Sequence, residues 1–239
     1  MRMRKKKNLT GRMAACEEVQ VLNPEELRGK WREHFEADES TVLNVEIGCG
    51  KGGFVVKMAQ QNPDQLFVAI ERVESVLLIA MEKAQKEQLD NLLFISYDAA
   101  RLDLVFAPDE VDRIYLNFSD PWPPKGQHKR RLTHPAFLSV YQRFLREKGE
   151  ICFKTDNRPL FEHSICYLSQ FGYGLFDVTF DLHATDTPNV MTEYERNFSM
   201  QGMPIYRLVA RKMLPDTPRT DVRKIGQYDA HDEDEAAEE

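Results

Sequence analysis

Asn117-Phe118-Ser119-Asp120-Pro121-Trp122-Pro123 sets an amide, a carboxylate and an indole among two prolines, and Pro124-Lys125-Gly126-Gln127-His128-Lys129-Arg130-Arg131 follows at once. Proline fixes φ and donates no hydrogen bond, so this segment is neither helix nor central strand. It reads as a rigid loop that presents polar groups beside one aromatic face. Trp122 can stack on a base or plug the loop, and its type alone does not choose. Lys129, Arg130 and Arg131 carry the charge to grip phosphates. A polar pocket beside a phosphate clamp points to chemistry on a nucleic-acid base.

Acids recur at comparable places elsewhere. Glu46 stands just before Gly48-Cys49-Gly50-Lys51-Gly52-Gly53, Glu71 closes an apolar run, and Asp98 and Asp156 each follow one. Any one of them alone is usually a helix cap or a solvated loop residue. Their meaning depends on the elements that carry them. Strand-like runs cover 42–47, 66–71, 92–96, 113–116 and 150–154, and helical periodicity covers 54–61, 73–88, 135–146 and 160–171. This alternation predicts an α/β fold with a mostly parallel sheet and helices on both faces. Two further runs, 175–182 and 205–211, have no long helix between them, so the expected seven-stranded sheet closes with an antiparallel edge. Ligands of such sheets bind beyond the carboxyl ends of the strands. Glu46, Glu71, Asp98, the pair Asn117 and Asp120, and Asp156 follow the first five strands in turn, which aims all of them at one edge.

Gly48, Gly50 and Gly53 fit the G-x-G-x-x-G fingerprint of dinucleotide sites, with Glu71 near the place of the ribose-binding acid. A nicotinamide-dependent oxidoreductase is therefore one reading. Against it, Glu46 would crowd a pyrophosphate, Asp98 adds an acid that a dinucleotide does not require, and no hydride-transfer constellation stands out. S-adenosylmethionine meets these objections, because it is cationic at sulfur and nitrogen and has no phosphate. Its ribose hydroxyls suit Glu71, and its adenine amino group suits Asp98. A fold of this type that binds RNA without catalysis is a third reading, which an intact polar cofactor pocket argues against.

The stretches 46–52, 117–123, 129–132 (Lys-Arg-Arg-Leu), 153–157 (Phe-Lys-Thr-Asp-Asn) and 191–195 (Met-Thr-Glu-Tyr-Glu) together resemble, in order, the motifs of the bacterial tRNA (guanine-N7)-methyltransferase family. The resemblance implies a Rossmann-like class I methyltransferase fold, S-adenosylmethionine as donor, and the guanosine at position 46 of the tRNA variable loop as acceptor. It implies that Glu46, Glu71, Asp98 and Asp120 line the cofactor pocket with Gly48, Gly50 and Asn117, and that Asp120 also serves catalysis. Asp156 and the stretch from Thr192 to Glu195 would contact substrate. The family carries a lysine directly after Asp-Pro-Trp-Pro, where this chain has Pro124, so that contact would pass to Lys125. Methylation at guanine N7 removes no proton there, so no strong general base is expected, and none of the 6 histidines sits in an evident motif.

The chain has 239 residues, enough for one α/β domain with extensions. The expected division is a basic extension with a short helix at 1–40, a catalytic domain at 41–213, and a disordered acidic tail at 214–239. The formal charge is −7, yet residues 229–239 hold seven acids and no lysine or arginine, so the body is neutral. Arg2–Lys7 and Lys125–Arg131 then stand out as local basic patches, which steer a polyanion better than net charge does. No apolar run approaches membrane-spanning length, and the charged N-terminus lacks the apolar stretch of a signal peptide. Cys16, Cys49, Cys152 and Cys166 show no metal-ligand spacing, which suits a reduced, cytoplasmic compartment. The resemblance implies tRNA as partner, and the sequence leaves monomer and homodimer open.

Overall fold

The computed structural model describes residues 8–123 and 125–213. The expectations for 1–7 and 214–239 lie outside them. Among the described residues, seven strands form one sheet: β1 (Leu43–Ile47), β2 (Leu66–Ile70), β3 (Leu92–Ile95), β4 (Val111–Asn117), β5 (Leu145–Thr155), β6 (Tyr173–Thr179) and β7 (Tyr206–Lys212). Their order is β3-β2-β1-β4-β5-β7-β6. The first five pair in parallel, and β7 runs antiparallel to both neighbours. The antiparallel edge expected from the two closing runs is thus built by inserting β7 between β5 and β6. The helices are α1 (Leu9–Ala14), α2 (Trp31–His34), α3 (Gly53–Gln61), α4 (Glu74–Glu87), α5 (Pro135–Phe144), α6 (Arg158–Gln170) and α7 (Glu193–Ser199).

The strands alternate in a way that decides where the polar groups go. Leu43, Val45 and Ile47 of β1, Ile114 and Leu116 of β4, Ile151 and Phe153 of β5, and Leu208 and Ala210 of β7 all join the larger core. Period-2 alternation sends their neighbours to the opposite face. There Phe67 and Ala69 of β2 and Leu92 and Phe94 of β3 meet α3 and α4 in a second core. Over β4, β5 and β7 the same face instead carries Arg113, Tyr115, Asn117, Glu150, Cys152, Lys154, Arg207 and Arg211, which line a groove of about 640 Å³. Helices cover both faces, but on this second face they leave β4, β5 and β7 to a polar groove.

Residues 8–40, read from sequence as an extension, are knitted into the domain. The short helix expected within 1–40 is split: a 3-10 turn covers Pro24–Leu27, Gly29 takes φ +79°, and α2 begins at Trp31. Trp31 is wholly buried in the main core, donates its indole N–H to the Val105 carbonyl at 3.0 Å and lies 5.5 Å from the Phe106 ring. The Glu110 carboxylate accepts from the backbone N–H groups of Gly29 and Trp31, and Arg32 pairs with Asp112 at 2.7 Å. Replacing a buried aromatic by alanine costs about 3–5 kcal/mol. Trp31→Ala should lower the unfolding free energy in urea by that amount; a loss below about 1 kcal/mol would mean that the segment is peripheral.

Candidate functional site

The carboxyl ends of β1 to β5 meet at one edge, and each delivers the polar residue expected of it. Glu46 lies near the end of β1 with 3% of its surface exposed. The Asn117 side-chain amide, from the end of β4, donates to its Oε1 at 2.8 Å. Glu46 Oε2 is buried without a hydrogen-bond partner among the described residues. Burial pushes the Glu46 carboxyl up to about 7; the Asn117 amide, the Lys154 cation and the Val55 backbone N–H of α3 only partly offset it.

The glycine turn passes over this carboxylate. Gly48, Gly50 and Gly52 all adopt positive φ. At Gly52, the N-cap of α3, a Cβ would meet Ala80 Cβ of α4 at 2.7 Å, so only glycine lets the two helices approach. Glu71 ties the turn to β2: it accepts from Gly50 N at 3.2 Å and Val73 N at 2.9 Å. Asp98 caps a 3-10 turn by accepting from Ala100 N at 2.9 Å.

A cleft of about 470 Å³ opens beside this turn, lined by Gly48, Glu71, Asp98 and Asp120 together with Lys129 and Arg130. Three of the predicted acids therefore share one cavity, whereas Glu46 is buried outside its lining and Asn117 lines the polar groove over β4, β5 and β7. The loop that carries Asp120 is held in an unusual shape. Phe118 and Trp122 both have positive φ, at 52° and 43°, a conformation that bulky side chains adopt only under constraint. Asp120 itself is exposed. Trp122 has one face covered by the Arg130 guanidinium, 3.6 Å from the ring centroid. A cation thus occupies that face of the indole.

Asp156 follows β5, half-buried, outside the lining of that cleft. Tyr194 connects the two regions. Its ring lies 5.2 Å from Phe118 and 4.5 Å from Phe198, and both Asp156 and Asp120 help to raise its phenol pKa, after the larger effect of burial. Thr192 is the N-cap of α7 and forms a reciprocal capping box with Glu195.

Two of the expected contact residues point inward. Glu195 has no exposed surface; its carboxylate meets Lys154 at 2.8 Å and His183 at 3.3 Å, and the Asn189 amide donates to it. In this arrangement Glu195 anchors the segment instead of facing substrate. Arg131 is 3% exposed and donates from Nε to the Pro121 carbonyl at 2.8 Å, so it closes the loop, while Lys129 and Arg130 are exposed. The Lys125 backbone opens a 3-10 helix that runs to Arg130, and its side chain lies outside the described part. Three residues of this region escaped the sequence reading. Arg72 and Tyr97 line the cleft, and Lys154, quoted from sequence only within the 153–157 motif, lines the polar groove. A lysine in an apolar strand was the one available signal.

The family profile described as "Putative methyltransferase" matches residues 40–208. A tRNA (guanine-N(7)-)-methyltransferase of Lachnoclostridium phytofermentans is 50% identical over 192 residues, covering 80% of this chain and 89% of that protein. One of Listeria monocytogenes is 46% identical over 212 residues, covering 88% and 98%. The crystal structure of the 16S rRNA methyltransferase KamB superposes with a TM-score of 0.59 at 18% identity, over 76% of this chain and 92% of that one, which bears on the fold alone. A Rossmann-like class I sheet, a profile spanning most of the chain and relatives this similar over nearly their full length lead to one conclusion: the chain belongs to the tRNA (guanine-N7-)-methyltransferase family.

Proposed function

We propose that the protein methylates N7 of guanine in tRNA, at the variable-loop guanosine, with S-adenosylmethionine as donor and 7-methylguanosine and S-adenosylhomocysteine as products. The observation that carries this reading is the single cleft in which Gly48, Glu71, Asp98 and Asp120 meet the exposed cations Lys129 and Arg130. The donor suits the residues present. Glu46 Oε2, buried and without a hydrogen-bond partner among the described residues, is the complement of an ammonium, and Glu71 and Asp98 are acceptors for ribose hydroxyls and an adenine amino group. When bound, S-adenosylmethionine supplies an electrophilic methyl group on a sulfonium centre.

The protein's own task is then placement. Guanine N7 exposes a lone pair, so nothing has to abstract a proton from it. Asp120, on its constrained loop, can accept from guanine N1–H and N2–H₂, and its charge favours the positive charge that develops on the purine. Holding the acceptor in line supplies a large part of the barrier reduction. Tyr194, between Asp120 and Asp156, is placed to flank the base; Thr192 sets the start of its helix. Lys125 keeps its sequence-based assignment as a substrate contact. Unstacking the target guanosine costs about a few kcal/mol, which phosphate contacts to Lys129 and Arg130 offset. Four free thiols support a reducing compartment, the cytoplasm, and among the described residues no helix is long and apolar enough to cross a membrane.

Incubation with labelled donor and an unmodified tRNA transcript should place label in 7-methylguanosine, and Asp120→Asn should lower that turnover by about 10²–10³-fold. Label at another atom sinks the reading; near-normal turnover of the variant removes the electrostatic role of Asp120. The double variant Lys129→Ala, Arg130→Ala should weaken tRNA binding and flatten the plot of log affinity against log salt by about 1–2. An unchanged slope would mean that neither side chain touches phosphate.

A further inference from the structure

Lys154 is placed by its strand at a junction. It pairs in register with Asn117 on β4, and its backbone carbonyl accepts from Phe118 N at 2.9 Å, the first residue of the Asp120 loop. Its side chain turns to the groove face and is buried there. A lysine ammonium has three N–H donors. All three are directed at one segment: Glu195 Oε2 at 2.8 Å, Asn189 Oδ1 at 2.9 Å and the Val190 carbonyl at 3.1 Å. The same ammonium lies 5.2 Å from the centre of the Phe54 ring, at the start of α3 just beyond the glycine turn. Glu193, two residues before Glu195, reaches Lys83 of α4 at 2.5 Å, so the segment is fastened at a second, outer point.

We propose that Lys154 is a positioning residue that holds the Asp120 loop with its carbonyl and the 189–195 segment with its ammonium, and so sets the acceptor side of the cleft against the buried carboxylate on the donor side. This rests on the proposed role of Tyr194, carried by the same segment, in flanking the acceptor base. A buried ion pair is a poor source of stability compared with well-packed apolar residues. Here its geometry gives it a different use. The ammonium that pairs with Glu195 also favours the ionised Glu46, whose hydrogen-bond donor Asn117 sits beside Lys154 in register. The other charged and titratable groups around them are His183, 3.3 Å from the Glu195 carboxylate, Glu71 from the end of β2, the Cys49 thiol in the glycine turn and Arg207 of β7. Removing the cation therefore loosens the segment and makes Glu46 harder to ionise. Removing the Glu195 charge loosens the segment too, but leaves Lys154 to favour the ionised Glu46.

The test uses the full-length chain with S-adenosylhomocysteine, which keeps the donor's ammonium, and with unmodified tRNA. Wild-type affinity for S-adenosylhomocysteine should strengthen as pH rises and Glu46 ionises. Lys154→Met should raise the KM for tRNA by at least tenfold and move the midpoint of that pH dependence upward. Glu195→Gln, which keeps the side-chain shape, should raise the tRNA KM likewise but move the midpoint downward. Lys154→Arg should restore most of the tRNA KM. Should Lys154→Met fail to fold, the downward shift in Glu195→Gln still decides. Unchanged midpoints, or shifts of the same sign in both variants, overturn the proposal, as does an unchanged tRNA KM. Failure of the wild type to form 7-methylguanosine would instead overturn the functional reading, while the titrations would still judge Lys154.

Discussion

Glu46 is the charge around which this molecule is arranged. A carboxylate taken out of water resists ionisation unless hydrogen bonds and cations replace the lost hydration. Here the replacement is incomplete: one amide from Asn117, the Val55 backbone N–H, a cation set back at Lys154, and the Oε2 oxygen left without a hydrogen-bond partner among the described residues. The consequence for stability has a definite sign. A folded-state value near 7, above the ordinary 4.5, means that the folded protein holds the proton more tightly than the unfolded chain. The stabilising contribution is fully present below about 4.5 and is lost as pH rises through about 7. A ligand that brings a cation to Glu46 recovers what burial removed, so ligand binding and ionisation are one linked event.

The sheet makes this arrangement possible. Period-2 alternation lets β1, β4 and β5 face a large apolar core with one set of side chains while presenting Glu46, Asn117 and Lys154 on the other. Parallel pairing then brings Asn117 beside Lys154 in register. The glycine turn, the Asp120 loop and the 189–195 segment are irregular, yet each is fastened to a strand end: Gly50 to Glu71, Phe118 to the Lys154 carbonyl, and Glu195 to the Lys154 ammonium. A site built from loops is thus positioned by rigid elements.

Much of this was readable along the chain because the signals are local. Acids placed after apolar runs mark strand ends, and Asp-Pro-Trp-Pro cannot join regular structure. What escaped depends on contacts distant in sequence. Trp31 is core because Val105 and Glu110 receive it, and nothing near position 31 announces that. Arg131 looks like its neighbours Lys129 and Arg130, but loop closure turns it onto the Pro121 carbonyl. Glu195 is the instructive case. Thr192-Glu193-Tyr194-Glu195 is a capping-box pattern, which was a local clue that its carboxylate turns back into the structure. Lys154 stood in the Phe-Lys-Thr-Asp strand as a charge at an alternating position, and only its partner 41 residues further on gives it a role.

The most direct test of the account is the titration of Glu46 itself, followed through the side-chain carboxyl carbon shift in isotope-labelled protein and assigned with Glu46→Gln. Without ligand the carboxyl should titrate near 7, and with saturating S-adenosylhomocysteine it should already be ionised at pH 6. An ordinary carboxylate midpoint near 4.5, the same with and without ligand, would contradict the claim that the site is organised around an incompletely compensated buried charge.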